Sequence, residues 1–384
     1  MLIAGAAVVV AGAAALGAWL LTEDDGEGKP RSRQVVLPPV HRPGQISAEE
    51  LQGDPQILLV LADRIRASTS ASGDLYVVNA DGTGLRRVKA WPPYGDAPEG
   101  GVYGTYDARW SPDRRLIALD LGVYLDDPGG QVAVVSPSGR GLRRLSEAND
   151  AGNLAWSRRG ELAYSSGGEL WVASPQTGRT RRIRNSGLGF SLMGHGEVEW
   201  APDGKRLVLR TSKGLLVATL AGERKWLTHT ARDSGPRWSP NGQAIAFVRV
   251  PRCYGEFGCK GSSNVYLFKP GGSRHRRLTE HARATDLLWS PKGRSILFNQ
   301  ESPDGGISEG TVAVVGGDGG HLRRLARDAT ALAWSPDGTK VLYSHGRGLW
   351  LMDADGGRPT RLVVIGHGRR GLTIVAADWG ARAS

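Results

Sequence analysis

Charge is missing from the first part of this chain. Leu2 to Leu21 contain no Asp, Glu, Lys or Arg, and the first basic residue is Lys29. A secretory signal carries positive charge ahead of its apolar core, and that mark is absent here. Glu23, Asp24 and Asp25 precede Lys29, Arg31 and Arg33, so flanking charge sets no membrane orientation. Cysteine is almost absent. Cys253 and Cys259 are the only two, too few for a four-ligand zinc site. No cysteine lies near the N-terminal run, which excludes a lipid-modified cysteine anchor there. The catalytic signatures are missing as well: no Gly-x-Ser-x-Gly, no His-Glu-x-x-His, no phosphate-binding glycine loop and no EF-hand pattern. No cofactor is expected.

The uncharged run is itself informative, because about 20 apolar residues match a bilayer-spanning helix. Residues 1–22 are expected to be an uncleaved membrane anchor. A cleaved signal with a small-residue site near Ala14 to Ala18, or a buried helix, are the alternatives. Residues 23–55 read as a flexible linker, with Pro30, Pro38, Pro39, Pro43 and Gly44 and little apolar periodicity, broken at most by a short helix around Ser47 to Leu51. In an exported chain Cys253 and Cys259 form a local disulfide; in a cytosolic one they stay thiols.

Tryptophan, by contrast, is abundant and regularly placed. Six segments share one pattern: Trp110-Ser-Pro-Asp-Arg, Trp156-Ser-Arg-Arg-Gly, Trp200-Ala-Pro-Asp-Gly, Trp238-Ser-Pro-Asn-Gly, Trp289-Ser-Pro-Lys-Gly and Trp334-Ser-Pro-Asp-Gly, with Trp379 as a seventh anchor. Successive tryptophans lie 38 to 51 residues apart. Trp ends a strand, Pro fixes φ at the first turn position, and Gly accepts positive φ. Strand-like runs follow each turn, as in Ala244-Ile-Ala-Phe, then Val265-Tyr-Leu-Phe, then a basic fourth run such as Leu142-Arg-Arg-Leu. Four strands in about 45 residues make a propeller blade.

The chain ends complement one another. Ile57-Leu-Leu-Val-Leu, Leu75-Tyr-Val-Val and Leu85-Arg-Arg-Val supply later strands without a Trp strand, and Ile374 to Trp379 supply a Trp strand with nothing after it. The predicted fold is therefore all-β: a seven-bladed β-propeller over residues 56–380, closed by N- and C-terminal strands sharing one blade. Six blades is the alternative if the degenerate Trp156 copy is not a blade.

The stretch Leu227-Thr-His-Thr-Ala-Arg-Asp-Ser-Gly-Pro-Arg-Trp-Ser-Pro-Asn-Gly, with Leu349-Trp-Leu-Met-Asp-Ala-Asp-Gly, resembles the TolB-like, WD-related propeller repeat. The resemblance covers the chain after residue 56 and is specific for the repeat rather than for an activity. It implies extracytoplasmic protein–protein interaction at the bacterial envelope. Similar propellers gate prolyl oligopeptidase-type enzymes.

The formal net charge is +11. Thirteen basic residues fall in or near fourth strands: Arg86, Arg87, Arg143, Arg144, Arg181, Arg182, Arg224, Lys225, Arg276, Arg277, Arg323, Arg324 and Arg361. Charged outer edges block edge-to-edge pairing. Their spread around the rim argues against nucleic acid. Loops entering Trp strands and loops joining second to third strands share one face. The longest of them carry Trp91, Tyr94, Tyr103 and Tyr106, and Tyr254 and Phe257 beside the two cysteines; a third loop runs from Glu301 to Gly310. Aromatic residues on such loops suit protein recognition. Asp107, Arg109, Glu197, Glu199, Arg237, Asp286 and Asp378 precede the tryptophans and are expected at the mouth of a central channel. Inter-blade ion pairing is the plainer explanation of those charges. The sequence thus points to a monomeric, non-catalytic scaffold, held in the cell membrane by its N-terminal segment with the propeller outside. It would bind a protein partner or an envelope polymer through the loop-rich face, with Asp107, Glu197 and Asp286 among the binding residues. A propeller lyase or hydrolase using the channel-mouth charges is the alternative.

Overall fold

In the computed structural model the described residues are 56–63, 72–92, 102–123, 129–146, 150–183, 198–251, 262–270, 272, 274–302, 310–320, 322–365 and 372–380. The N-terminal run, the linker and both cysteines lie outside them. Among the described residues no helix is long and apolar enough to cross a membrane.

The strands form seven antiparallel four-stranded sheets. In the first six blades the first strand ends on Trp110, Trp156, Trp200, Trp238, Trp289 or Trp334. The Trp156 copy is a full blade, from Gly152–Trp156 out to Arg179–Ile183, so the six-bladed alternative falls. The seventh blade has the shared construction. Leu372–Asp378 is innermost and pairs with Gln56–Asp63, which pairs in turn with Asp74–Asn79 and then Arg86–Lys89. Leu58 faces Asp378 and Leu59 faces Ala377 across that seam.

Second and third strands are the buried ones. Ile57, Leu59, Ile117, Leu119, Leu207, Phe247, Phe298 and Leu342 have no exposed surface. Core clusters form mainly between sheets: one joins Leu58, Val77 and Val88 of the seventh blade to Trp110, Ile117 and Leu119 of the first. The tryptophans extend this contact with a repeated hydrogen bond. The indole N–H of Trp156 donates to the Arg109 carbonyl, that of Trp200 to Ala155, that of Trp289 to Arg237 and that of Trp334 to Leu288, at 3.0–3.1 Å. Each acceptor is the residue before the preceding blade's tryptophan.

The turns after the tryptophans also stack. A Cβ at Gly242 would lie 3.6 Å from Cδ of Pro202, one at Gly293 3.4 Å from Pro240 and one at Gly338 3.2 Å from Pro291. The first turn departs from this rule, because Arg114 stands where most copies have glycine and holds φ at 57°. Its guanidinium donates through Nη2 to the carbonyls of Trp379 and Gly380, at 3.0 and 2.6 Å. That side chain ties the first blade to the end of the seventh.

Some outer arginines likewise do more than block edges. Arg143 donates to the Pro175 carbonyl, Arg276 to Gly317 and Asp318, and Arg323 to Ala354 and Asp355. In each case a fourth strand reaches the third-to-fourth turn of the next blade. Arg114→Ala is expected to lower unfolding free energy by about 1–2 kcal/mol through loss of charge-assisted hydrogen bonds. Arg114→Gly should lose less, because glycine relieves roughly 1 kcal/mol of left-handed backbone cost. Urea unfolding of the two variants beside the parent measures both effects.

Candidate functional site

First strands contact one another around the ring and so wall the central channel. Three of them carry a bulge with a left-handed residue three positions before the tryptophan: Asn153 at φ 60°, Gly235 at 55° and Asp286 at 51°. Asn, Gly and Asp are the residue types that tolerate this region.

The residue before each tryptophan forms a belt, in ring order Arg109, Ala155, Glu199, Arg237, Leu288, Ala333 and Asp378. Two cations meet two anions, so the belt is neutral overall. Arg109 donates through Nε to Asp107 at 3.0 Å. The Asp107 charge holds the Arg109 guanidinium above its ordinary pKa, and Asp378 and Glu199 add to this. Asp378 accepts the backbone N–H of Trp110 at 2.8 Å, and Glu199 accepts that of Trp238 at 2.6 Å. Arg237 donates to the Leu287 carbonyl at 3.1 Å. The two belt acids therefore each hold a tryptophan backbone of the next blade. The indole N–H groups of those same tryptophans, Trp110 and Trp238, find no acceptor among the described residues.

A second acid group lies one strand deeper. Asp120 is buried opposite Asp107, with the backbone N–H of Asn153 as donor. Burial and then the Asp107 charge push its pKa up to about 8. Burial pushes Glu199 up to about 7, against the pull of Arg237 and the Trp238 N–H.

The expected site residues fare unequally. Trp91 is a correction. It is buried, donates its indole N–H to Thr105 at 3.0 Å, and receives Asp74 on its backbone N–H at 3.1 Å. It packs between the seventh and first blades and is not a loop-surface aromatic. Tyr103 and Tyr106 belong to the strand Val102–Trp110, not to a loop, and Tyr106 is half-buried. Asp107 is buried in the channel wall. Asp286 is exposed on the fifth blade, accepting from Asn299 at 3.3 Å. Tyr94, Tyr254, Phe257, Glu197, Cys253 and Cys259 lie outside the described residues. Asp120 was missed by sequence reasoning; its one signal was a carboxylate inside an otherwise apolar strand, Ile117–Val123. Among the described residues no His, Cys, Asp and Glu grouping could hold a metal ion.

Variation in length is confined to one face. Connections from first to second strand are all short, as at 111–116 and 335–339, and so are those from third to fourth. Connections from second to third strand range from the two residues 167–168 to residues 250–263, and those into first strands from residue 328 alone to 184–197. On the short-turn face Arg158 of the second blade reaches the Pro240 carbonyl of the fourth, at 3.3 Å.

Seven four-stranded blades, a tryptophan belt and a shared closing blade define a closed β-propeller of the TolB-like kind. The Tol-Pal system protein TolB 1 of Novosphingobium aromaticivorans is 32% identical over 76 residues, 20% of this chain and 16% of that protein. TolB of Gluconobacter oxydans is 28% identical over 106 residues, 26% of this chain and 22% of that protein. The match thus spans less than a quarter of either relative's length. An oligogalacturonate lyase in complex with manganese shares the fold, with a TM-score of 0.53 and 14% identity over 80% of this chain and 85% of the lyase. No family model matches.

Folding raises the pKa of both acids, so the folded chain binds more protons than the unfolded chain between the unfolded and folded pKa values. Stability should therefore fall as pH rises from about 4 towards 8 for Asp120, and towards 7 for Glu199. Asp120→Asn keeps an acceptor for the Asn153 N–H. It should flatten the dependence of urea midpoint on pH across this window, gaining most on the parent near pH 8.

Proposed function

We propose that this chain is a non-catalytic, extracytoplasmic scaffold that binds a protein or an envelope component through its loop-bearing face. The observation that carries the reading is the confinement of length variation to that face. A rigid ring whose other face is held by stacked turns presents its variable loops as the recognition surface. Similarity to TolB proteins supports a protein-binding role and supports an envelope location. The N-terminal run would tether the propeller to the cell membrane. The neutral channel belt supports a non-catalytic reading, since its charges already serve each other and the backbone.

The second reading is a propeller enzyme, favoured by the buried Asp107 and Asp120 pair and by the lyase that shares the fold. Asp120, with its pKa raised to about 8, has the character of a general acid. Asp120, however, faces a backbone donor and the channel wall, with few groups free to meet a substrate.

In vivo cross-linking and capture tests the scaffold reading. Partners recovered with the parent should be lost when residues 93–101 and 252–261 are each replaced by an Asn-Gly turn, and retained when Asn241 and Lys292 on the short-turn face become Ala. Recovery of the same partners without the two loops would remove this face as the binding surface. The replacement must stop short of Trp91 and Val102, whose burial and strand pairing belong to the ring.

A further inference from the structure

The two faces of the ring differ in charge. The turns of the short-turn face, which join first to second and third to fourth strands, hold eleven Lys and Arg against eight Asp and Glu. The connections of the loop face hold eleven against thirteen. The fourth strands add to the first set. Each of the seven starts at the short-turn face, and each has arginine as its first or second residue, from Arg86 to Arg361. Arg143, Arg276 and Arg323 place that charge level with the turns, since they bond turn carbonyls of the next blade. The cations therefore form an even ring about the propeller axis, on the short-turn side.

Several acids of this face are engaged within their own turns. Asp81 accepts from Thr83, Asp113 from Ser111 and the Arg115 N–H, and Asp337 from Ser335 and the Thr339 N–H. Asp203 is paired with Arg206. Arg115, Arg159, Lys205, Lys269, Lys292 and Arg294 are spread over the first five blades. All six are exposed, and none has a carboxylate partner among the described residues.

Shape and connection select the occupant. Every turn on this face has four to seven residues, and turns stack from blade to blade, so no long loop rises from it. The turns contain no Trp, Tyr or Phe. The aromatic anchors of a protein interface are therefore missing, and so is the platform on which unpaired bases stack. The chain also enters the ring here. Gln56 pairs with Asn79 at the short-turn end of its strand, so residues 1–55 join the propeller on this face. With residues 1–22 in a bilayer, residues 23–55 alone separate that bilayer from the ring of cations. A flat, evenly basic face beside its own tether fits a plane of anionic headgroups, which attracts Lys and Arg that come within about 10 Å.

We propose that the short-turn face rests on anionic phospholipid and so directs the loop face away from the membrane; the inference rests on the proposed N-terminal tether. The full chain in nanodiscs of phosphatidylcholine, with and without phosphatidylglycerol, tests it. Retention in both discs reports the tether, and amine acetylation read by mass reports the face. Lys205, Lys269 and Lys292 should react about five-fold more slowly on discs containing phosphatidylglycerol, and high salt should abolish the difference. Lys213, exposed on the loop face, should react equally on both. The variant Arg115→Gln, Arg159→Gln, Arg294→Gln should cut the protection of the three lysines to within about two-fold. Lys213→Gln, Arg327→Gln, Arg347→Gln removes equal charge away from this face and should leave the protection unchanged. Equal reactivity of the three lysines on both discs, or protection of Lys213 along with them, overturns the face with the tether intact. A chain that enters neither disc loses the tether. Sedimentation with phosphatidylglycerol vesicles and the same protection pattern would then keep the face, and failure to sediment would remove both. Stronger protection of the three lysines by a single-stranded oligonucleotide than by phosphatidylglycerol discs would also overturn the proposal.

Discussion

A four-stranded sheet cannot cover both of its own faces, and every other property of this molecule follows from that. Each blade here is finished by its neighbours, so no blade is a stable unit and the ring stands or falls as a whole. Tryptophan is the residue that makes the joint. It is broad enough to fill the space between two twisted sheets and still carries one polar handle. In four blades that handle reaches back to the preceding blade's main chain. The arginines of the outer strands repeat the device at larger radius, spanning to the neighbour's turn. The ring is therefore stitched near its axis and again at its rim, with apolar packing between.

The channel belt shows how the same joint absorbs charge. From its position in the sequence, an acid before a tryptophan reads either as a ligand-binding group or as an inter-blade partner. In the folded ring Glu199 and Asp378 instead hold backbone N–H groups of the next blade, while Arg109 and Arg237 supply compensating charge. These carboxylates do the work of orienting blades. The loop face is left as the region where sequence can change without disturbing the joints.

Much of this was legible in the sequence, for a physical reason. Turn chemistry and strand patterning are local, so Trp-Ser-Pro-Asp-Gly announces a blade wherever it occurs, and two incomplete ends announce a shared blade. Contacts between blades are not local. Nothing near Arg143, Arg276 or Arg323 in the sequence tells that their side chains land on a turn of the next repeat. Trp91 lay beyond the last recognisable strand of its half-blade and so read as a loop aromatic; its partners, Asp74 and Thr105, belong to two different blades. Asp120 was hidden by its setting, one carboxylate in an apolar run. Aligning the copies would have exposed one column, since Asn153, Gly235 and Asp286 stand at the same offset from tryptophan and are all residue types suited to left-handed backbone.

The seam at Asp378 and Trp379 also sets an order of events. The half-blade at residues 56–89 is made well before its inner partner, Leu372–Asp378, which lies some three hundred residues further along. Until Leu372–Asp378 arrives, the inner edge of the Gln56–Asp63 strand is open, and Arg114 has no carbonyls to hold. Six blades can be complete in sequence while the ring is still a split washer with two raw faces. Assembly of this ring is thus a closing step that waits for Leu372–Asp378, and the early strands must remain unpaired with other molecules throughout that interval.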